Sequence, residues 1–270
     1  MIKFIKNIIS NIFLYCGYKV IKITSPKKVK RLIKSLYPLR TQFELIRMGP
    51  DGDGGYLVPD CLNGIEYCFS PGVSDVSGFE LDCISRGMYV FMADKSVDKP
   101  NLPVGTKNFN FIKKFIGNTN DNDFITIDEW VKSSKISLES ELLLQMDIEG
   151  AEYDAIASMS ESLMRRFRIM IIEFHFLDKL WKPAFYNVLK STFEKILITH
   201  VCVHNHPNNC CGSDFQNNIE IHNVIELTFI RKDCVELQGY ETLFPHKLDF
   251  DNTPNESLPL ARNWYYNNKQ

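Results

Sequence analysis

Leu142-Leu143-Leu144-Gln145-Met146-Asp147-Ile148-Glu149-Gly150-Ala151-Glu152-Tyr153 passes from an apolar run, through three carboxylates, into the start of a helical pattern. Such a run reads as a buried strand whose carboxyl end meets solvent or a ligand. The same grammar recurs on either side. Ile65–Ser70, Met88–Ala93, Phe109–Ile112, Ile169–Phe176, Ile196–Val203 and Asn223–Ile230 read as strands, and Gly78–Arg86, Ile127–Ser134, Glu152–Arg166 and Ala184–Glu194 as helices. Strands apolar on both faces and separated by helices predict an α/β fold, with a doubly wound, mostly parallel sheet covered on both sides. No internal repeat interrupts the pattern.

The chain of 270 residues is long enough to bury a core without disulfide or metal staples. Its 44% hydrophobic and 24% charged content excludes a disordered tail, a collagen-like chain and a polytopic membrane protein. The net charge of −2 conceals an asymmetry. Residues 1–43 carry all of Lys3, Lys6, Lys19, Lys22, Lys27, Lys28, Lys30, Arg31, Lys34 and Arg40 and no acid, so the rest is strongly acidic. An acidic body argues against a nucleic-acid partner. The division expected is a basic helical segment (1–45), an α/β domain (46–232) and an irregular, Asn- and Pro-rich closing segment (233–270) that packs on it. Residues 2–23 space their apolar groups helically, with lysines at both ends. They read either as a helix packed on the body or as a helix in a membrane interface. Asn7–Tyr18 is too short to span a bilayer and lacks a cleavage site. The eight cysteines show no CxxC spacing, and Cys68, Cys83 and Cys202 read as buried thiols of a reducing compartment. A cytoplasmic protein, peripheral at the inner membrane face if the head engages lipid, is the expected location.

In a doubly wound sheet, ligands bind beyond the carboxyl ends of the strands at the switch point. Ser70-Pro71-Gly72-Val73-Ser74-Asp75, running on to Phe79-Glu80, is a strand–turn–helix junction suited to a nucleotide cofactor, with Ser70, Gly72, Asp75 and Glu80 as contacts. It lacks GxGxxG, which speaks against a nicotinamide oxidoreductase and for a ligand without a pyrophosphate, such as S-adenosylmethionine. Asp94, followed by Lys95, closes the second strand where ribose hydroxyls are gripped, although an Asp there also reads as a helix cap. Asp147, Glu149 and Glu152 repel one another unless a cation, substrate hydroxyls or a helix N-terminus neutralises them.

These residues carry a resemblance. Asp147-Ile148-Glu149-Gly150-Ala151-Glu152 resembles the signature hexapeptide of the FkbM-type methyltransferases, a class I S-adenosylmethionine-dependent family. Ser70–Asp75 with Phe79-Glu80 is similar to that family's cofactor loop, Asp53-Gly54-Gly55-Tyr56 to its upstream loop, and Asp94 to the acid after its second strand. Pro71 and Ser74 depart from the loop pattern. The likeness spans about residues 46–231. It implies a Rossmann-like, seven-stranded sheet and methylation of hydroxyls, often on sugars of surface polysaccharides or on natural products.

Glu173 and His175 alternate on one strand, and His200, His204 and His206 on another, so their side chains share faces. If the two strands are neighbours, Asp147, Glu173, His175, His204 and His206 meet in a mixed site. Nitrogen and oxygen ligands of that kind suit Mn, Fe(II) or Mg. Some class I O-methyltransferases resemble this, with ligands at the ends of the fourth and fifth strands. An alcohol is a weak nucleophile, so a histidine base (His175 or His206) or a metal must help remove its proton, with Asp147 orienting substrate or ion. The expected activity is O-methylation of a sugar hydroxyl, on a sugar nucleotide or glycan precursor of a capsule or lipopolysaccharide. A small natural product as acceptor, or a glycan- or membrane-binding module that kept the fold without the chemistry, are the alternatives.

Overall fold

The computed structural model describes residues 11–267. Helix α1 (Pro26–Lys34) starts at a proline, which suits the first turn because its missing N–H has no helical partner there. Strand β1 (Leu39–Thr41) and a hairpin of β2 (Leu45–Met48) and β3 (Tyr56–Pro59) follow. The doubly wound part then begins: β4 (Ile65–Pro71), α2 (Gly78–Ser85), β5 (Tyr89–Ala93) and β6 (Phe109–Ile112). A short parallel pair, β7 (Phe115–Ile116) with β8 (Phe124–Ile125), leads to α3 (Ile127–Ser133) and β9 (Glu141–Met146). After α4 (Glu152–Ser158) and α5 (Glu161–Met164) come β10 (Phe167–Phe174), α6 (Pro183–Thr199) and β11 (His200–Pro207). A hairpin of β12 (Ser213–Gln216) and β13 (Ile219–His222) precedes β14 (Ile225–Arg231). Strand β15 (Leu237–Tyr240) pairs back on β1.

The seven-stranded sheet runs β6-β5-β4-β9-β10-β14-β11. All neighbours are parallel except β14, which lies antiparallel between β10 and β11. Counted along the chain, the order is 3-2-1-4-5-7-6, and it reverses between β4 and β9. The expected Rossmann-like, mostly parallel architecture is therefore the one observed. Phe69, Leu144, Ile172 and Phe229 pack one face against α1, the helices α3 to α6 and Trp264; Cys68, Leu143, Ile171 and Ile230 pack the other against α2 and the β2–β3 hairpin.

Several expected boundaries move. The helix expected over Glu152–Arg166 breaks at Met159, and Ser160 caps the second piece by accepting from Leu163 N–H. The strand placed at Ile196–Val203 starts only at His200, because α6 keeps its apolar stripe buried through Thr199. Of the head helix expected over 2–23, residues 1–10 lie outside the described residues. Helical structure covers 11–15, and the backbone is irregular from Tyr18 to Ser25. Its side chains do not pack on the body: from Asn11 to Ile23 every one is exposed. Among the described residues no helix is long and apolar enough to cross a membrane. Cys68, Cys83 and Cys202 are buried, and all eight cysteines are free.

Candidate active site

Strands β4 and β9 bring their carboxyl ends together at the switch point. Asp147 N–H donates to Pro71 O at 3.3 Å, and Gly72 N–H to Ala93 O at 3.0 Å. Gly72 has φ of +85°, and a Cβ there would lie 1.5 Å from Asp147 O, so only glycine fits the closure. A cavity of about 270 Å³ opens beside this junction, walled by Phe115, Ile116, Phe124 and Ile148, with Asp94 in its lining. Asp94 is no helix cap. Its carboxylate accepts from Ser74 N–H (3.0 Å), Ser96 N–H (2.7 Å) and Ser96 Oγ (2.6 Å), which fixes both loops. Gly72, Ser74 and Asp147 also line a smaller cavity of about 50 Å³, closed by Tyr56, Phe79, Glu80 and Gln145.

Glu80 is buried, bonded through Oε1 to Ser70 Oγ, and its Oε2 has no partner. Burial pushes its carboxyl up to about 7, opposed by the Ser70 bond. Ser70 Oγ also lies 2.6 Å from Gln145 Oε1, and Gln145 Nε2 donates to Tyr56 Oη at 3.2 Å. These residues suit S-adenosylmethionine. An apolar slot would take a purine, a carboxylate with a lone-pair position to spare would take a ribose hydroxyl, and an orphaned buried carboxylate oxygen would take an ammonium group. Asp75 stands outside this set, exposed, its carbonyl occupied by Asn101 Nδ2. Lys95 pairs with Asp123 across the rim.

Beyond Asp147 lies His175, surrounded by carboxylates. Its Nδ1 is 2.9 Å from Glu152 Oε1; its Nε2 is 3.3 Å from Glu149, 3.6 Å from Glu173 and 3.8 Å from Asp147. Glu149 (φ +56°) and Phe176 (φ +62°) flank the cluster in left-handed conformations, which cost energy for such side chains and concentrate at functional sites. Burial alone pulls the imidazole pKa down, but the bond to Glu152 and the charges of Asp147 and Glu149 outweigh it and raise it. Burial pushes Asp147 up to about 7, with Glu149, Glu152 and Asp53 adding and His175 opposing. Glu173 is raised well above the usual carboxylate range, again first by burial. Asp147 Oδ1, Glu152 Oε2 and Glu173 Oε2 are buried without a hydrogen bond. Ligand atoms of Asp147, Glu149 and His175 lie within 4.8 Å of one another, near enough that the three could hold a divalent cation.

His204 and His206 are not brought into this cluster. The expectation placed their strand beside that of Glu173, but β14 intervenes, and the row across the sheet reads Glu173, Glu226, His206. Two strand spacings, roughly 10 Å, therefore separate His206 from Glu173. Both histidines face Asp249 of the closing segment: His204 Nε2 at 2.8 Å and His206 Nδ1 at 3.7 Å from Oδ1. His200 is structural, bonded to Thr199 and to Phe167 O. Sequence reasoning missed Glu226 and Asp249, and left out Tyr56 and Gln145 as wall residues. Glu226 carried a signal, as an acid inside an apolar strand; Asp249, in an irregular stretch, carried none.

A 3-2-1-4-5-7-6 sheet with a Gly turn, a second-strand acid and an acidic fourth-strand tip at its switch point has the architecture of a class I methyltransferase. The family model described as the methyltransferase FkbM domain matches residues 110–197, which span β6 to most of α6 and include the hexapeptide. The resemblance drawn from the sequence is borne out over these residues, and the matching model, that of a methyltransferase domain, implies S-adenosylmethionine as the cofactor. Among solved structures the chain is similar to fibrillarin in a complex with Nop5p (14% identity, 63% of this chain and 74% of that one, TM-score 0.37). It is similar also to the Methanococcus jannaschii fibrillarin pre-rRNA processing protein (10%, 71% and 83%, 0.36). A third is a point mutant of the 16S rRNA (adenine(1408)-N(1))-methyltransferase of Catenulisporales acidiphilia (8%, 70% and 98%, 0.31). At these scores nothing about site or substrate carries across. No curated protein matches the chain.

Proposed function

We propose that the protein is an O-methyltransferase acting on a sugar hydroxyl, on a sugar nucleotide or glycan precursor of a surface polysaccharide, with a divalent cation assisting. The observation that carries this reading is the position of Asp147. It lines both cofactor-side cavities and also stands 3.8 Å from His175 Nε2, so methyl donor and proton acceptor meet across one residue. S-adenosylmethionine supplies an electrophilic methyl group, and a cation held by Asp147, Glu149 and His175, with Glu173 beside them, would offset the carboxylates and acidify a bound hydroxyl. Glu152 accepts from His175 Nδ1–H and so presents Nε2 toward the acceptor side. The unpartnered oxygens of Asp147 and Glu173 accept from acceptor hydroxyls and turn one of them toward the cofactor cavity. As the hydroxyl oxygen bonds to the methyl carbon and the carbon–sulfur bond breaks, the hydroxyl proton leaves into this cluster. Holding the two reactants in line supplies much of the rate.

The test is methyl transfer from radiolabelled S-adenosylmethionine to a panel of sugar nucleotides, before and after chelation. Most turnover should be lost on chelation and restored by Mn(II), Fe(II) or Mg(II), with cofactor affinity retained throughout. Full turnover by protein shown metal-free by elemental analysis would leave His175 as the sole base. Transfer to non-sugar hydroxyls alone would move the acceptor out of the carbohydrates.

A further inference from the structure

The chain joins the body at Thr24, whose N–H donates to Trp181 O at 2.8 Å. Just before this point, apolar and aromatic side chains stand in solvent, among them Tyr15 (95% exposed), Tyr18 (67%), Ile21 (62%), Ile12 (58%) and Leu14 (57%). Just after it, α1 turns Val29, Leu32 and Ile33 onto the core and leaves Lys27, Lys28, Lys30, Arg31 and Lys34 exposed. Among the described residues none of these five bases has a carboxylate partner, and Lys28 finds only the Tyr186 ring at 5.9 Å. No acid occurs before Glu44.

We propose that this surface docks on an anionic lipid bilayer. Side chains of residues 12–23 enter the boundary between headgroups and acyl chains, and the bases of α1 face anionic headgroups. Two features select lipid. Phosphate of a nucleic acid would satisfy the lysines yet offer nothing to Ile12, Leu14 and Ile21. A bilayer takes apolar side chains without needing a shaped pocket, which suits a short segment whose side chains are exposed from Asn11 to Ile23 among the described residues. The proposal is independent of the reaction assigned above.

The test is co-sedimentation of the full-length protein with vesicles of phosphatidylcholine alone or mixed with phosphatidylglycerol. Retention should require the anionic lipid and fall as salt is raised. A base near such a surface strengthens binding about fivefold, so Lys27→Gln, Lys28→Gln and Lys30→Gln together should weaken it on the order of a hundredfold. Ile12→Ser with Ile21→Ser should weaken it too, with the melting temperature and cofactor binding of both variants unchanged. Because the three lysines are exposed, that variant keeps the test decisive even where the isoleucine variant folds poorly. Absent retention, equal retention on neutral vesicles, or indifference to the lysine changes overturns the proposal. So does self-association that buries the segment, or binding to RNA with the same dependence on those lysines.

Discussion

His175 sits where four carboxylates converge, one on Nδ1 and three on Nε2. Glu152, fully buried, fixes the ring through Nδ1 and also accepts from Gly150 N–H at 2.9 Å. Asp147, Glu149 and Glu173 face Nε2, where chemistry has room. His175→Ala should therefore abolish most methyl transfer while leaving S-adenosylmethionine affinity within about twofold, as a calorimetric titration of the folded variant would show. A parallel loss of cofactor binding would mean that His175 shapes the donor side instead. For Asp94→Ala the expectation is reversed: cofactor affinity falls about tenfold or more, from a charge-assisted bond worth roughly 1.5–3 kcal/mol and from loops released at Ser74 and Ser96. Unchanged affinity removes Asp94 from the site. Much of this cluster was legible in sequence, because Asp147, Glu149 and Glu152 follow an apolar run and Glu173 and His175 alternate on one strand. The left-handed backbone of Glu149 and Phe176 was not, since nothing in those side chains asks for it.

At the scale of elements, the decisive feature is β14, which enters antiparallel between β10 and β11. Each strand was readable from its own apolar run, but the order of strands is set by packing across the whole sheet. That order parts His204 and His206 from Glu173 and hands them to Asp249. The closing segment is held there as a strap. Arg47 reaches it from β2, donating to Leu248 O and stacking on Phe250, and Asn252 donates to Glu226. Burial lowers the His206 pKa, but Asp249 and Glu226 outweigh it and bring the ring up to about 8. An unfolded histidine titrates near 6.5, so the folded state holds this proton more tightly. The resulting stabilisation, about 2 kcal/mol, is complete below about pH 6.5 and is lost as pH rises through 8. Asp249, held well below its usual range mainly by the two histidines against the cost of burial, contributes above the ordinary carboxylate range and loses that contribution on acidification. Urea unfolding at pH 6 and pH 9 should show the difference, and His206→Gln should flatten it. An equal slope in both proteins would show that the strap does not depend on this charge.

Across the whole molecule, the sheet is covered by two apolar layers, and segments outside 46–232 reach both: α1 and Trp264 lie in one, while Leu39, Phe43 and Val235 pack against the other. Trp264, fully buried, packs in the same layer as Val29 and Leu32 of α1 and Phe174 of β10. Its Nε1 donates to Glu220 O at 3.0 Å, and its carbonyl accepts from Asn205 Nδ2 at 3.2 Å. That the closing segment packs on the domain was expected; which of its side chains enters the core was not, because an Asn- and Pro-rich tail with scattered aromatics has no periodicity to read, and its partners lie far away in sequence. Helix α1, the sheet and the Trp264 end of the tail share one apolar layer and should unfold together. Trp264→Ala removes a large ring and its Nε1 bond to Glu220 O, and a loss of about 3–5 kcal/mol is expected. Urea melts followed by tryptophan fluorescence and by far-ultraviolet circular dichroism should coincide in the wild type. In the variant the midpoint should fall with the slope unchanged, because the same surface is still exposed on unfolding. Two separated transitions in the wild type would mean that the tail and α1 form a unit of their own. A variant as stable as the parent would mean that Trp264 is covered without supporting anything.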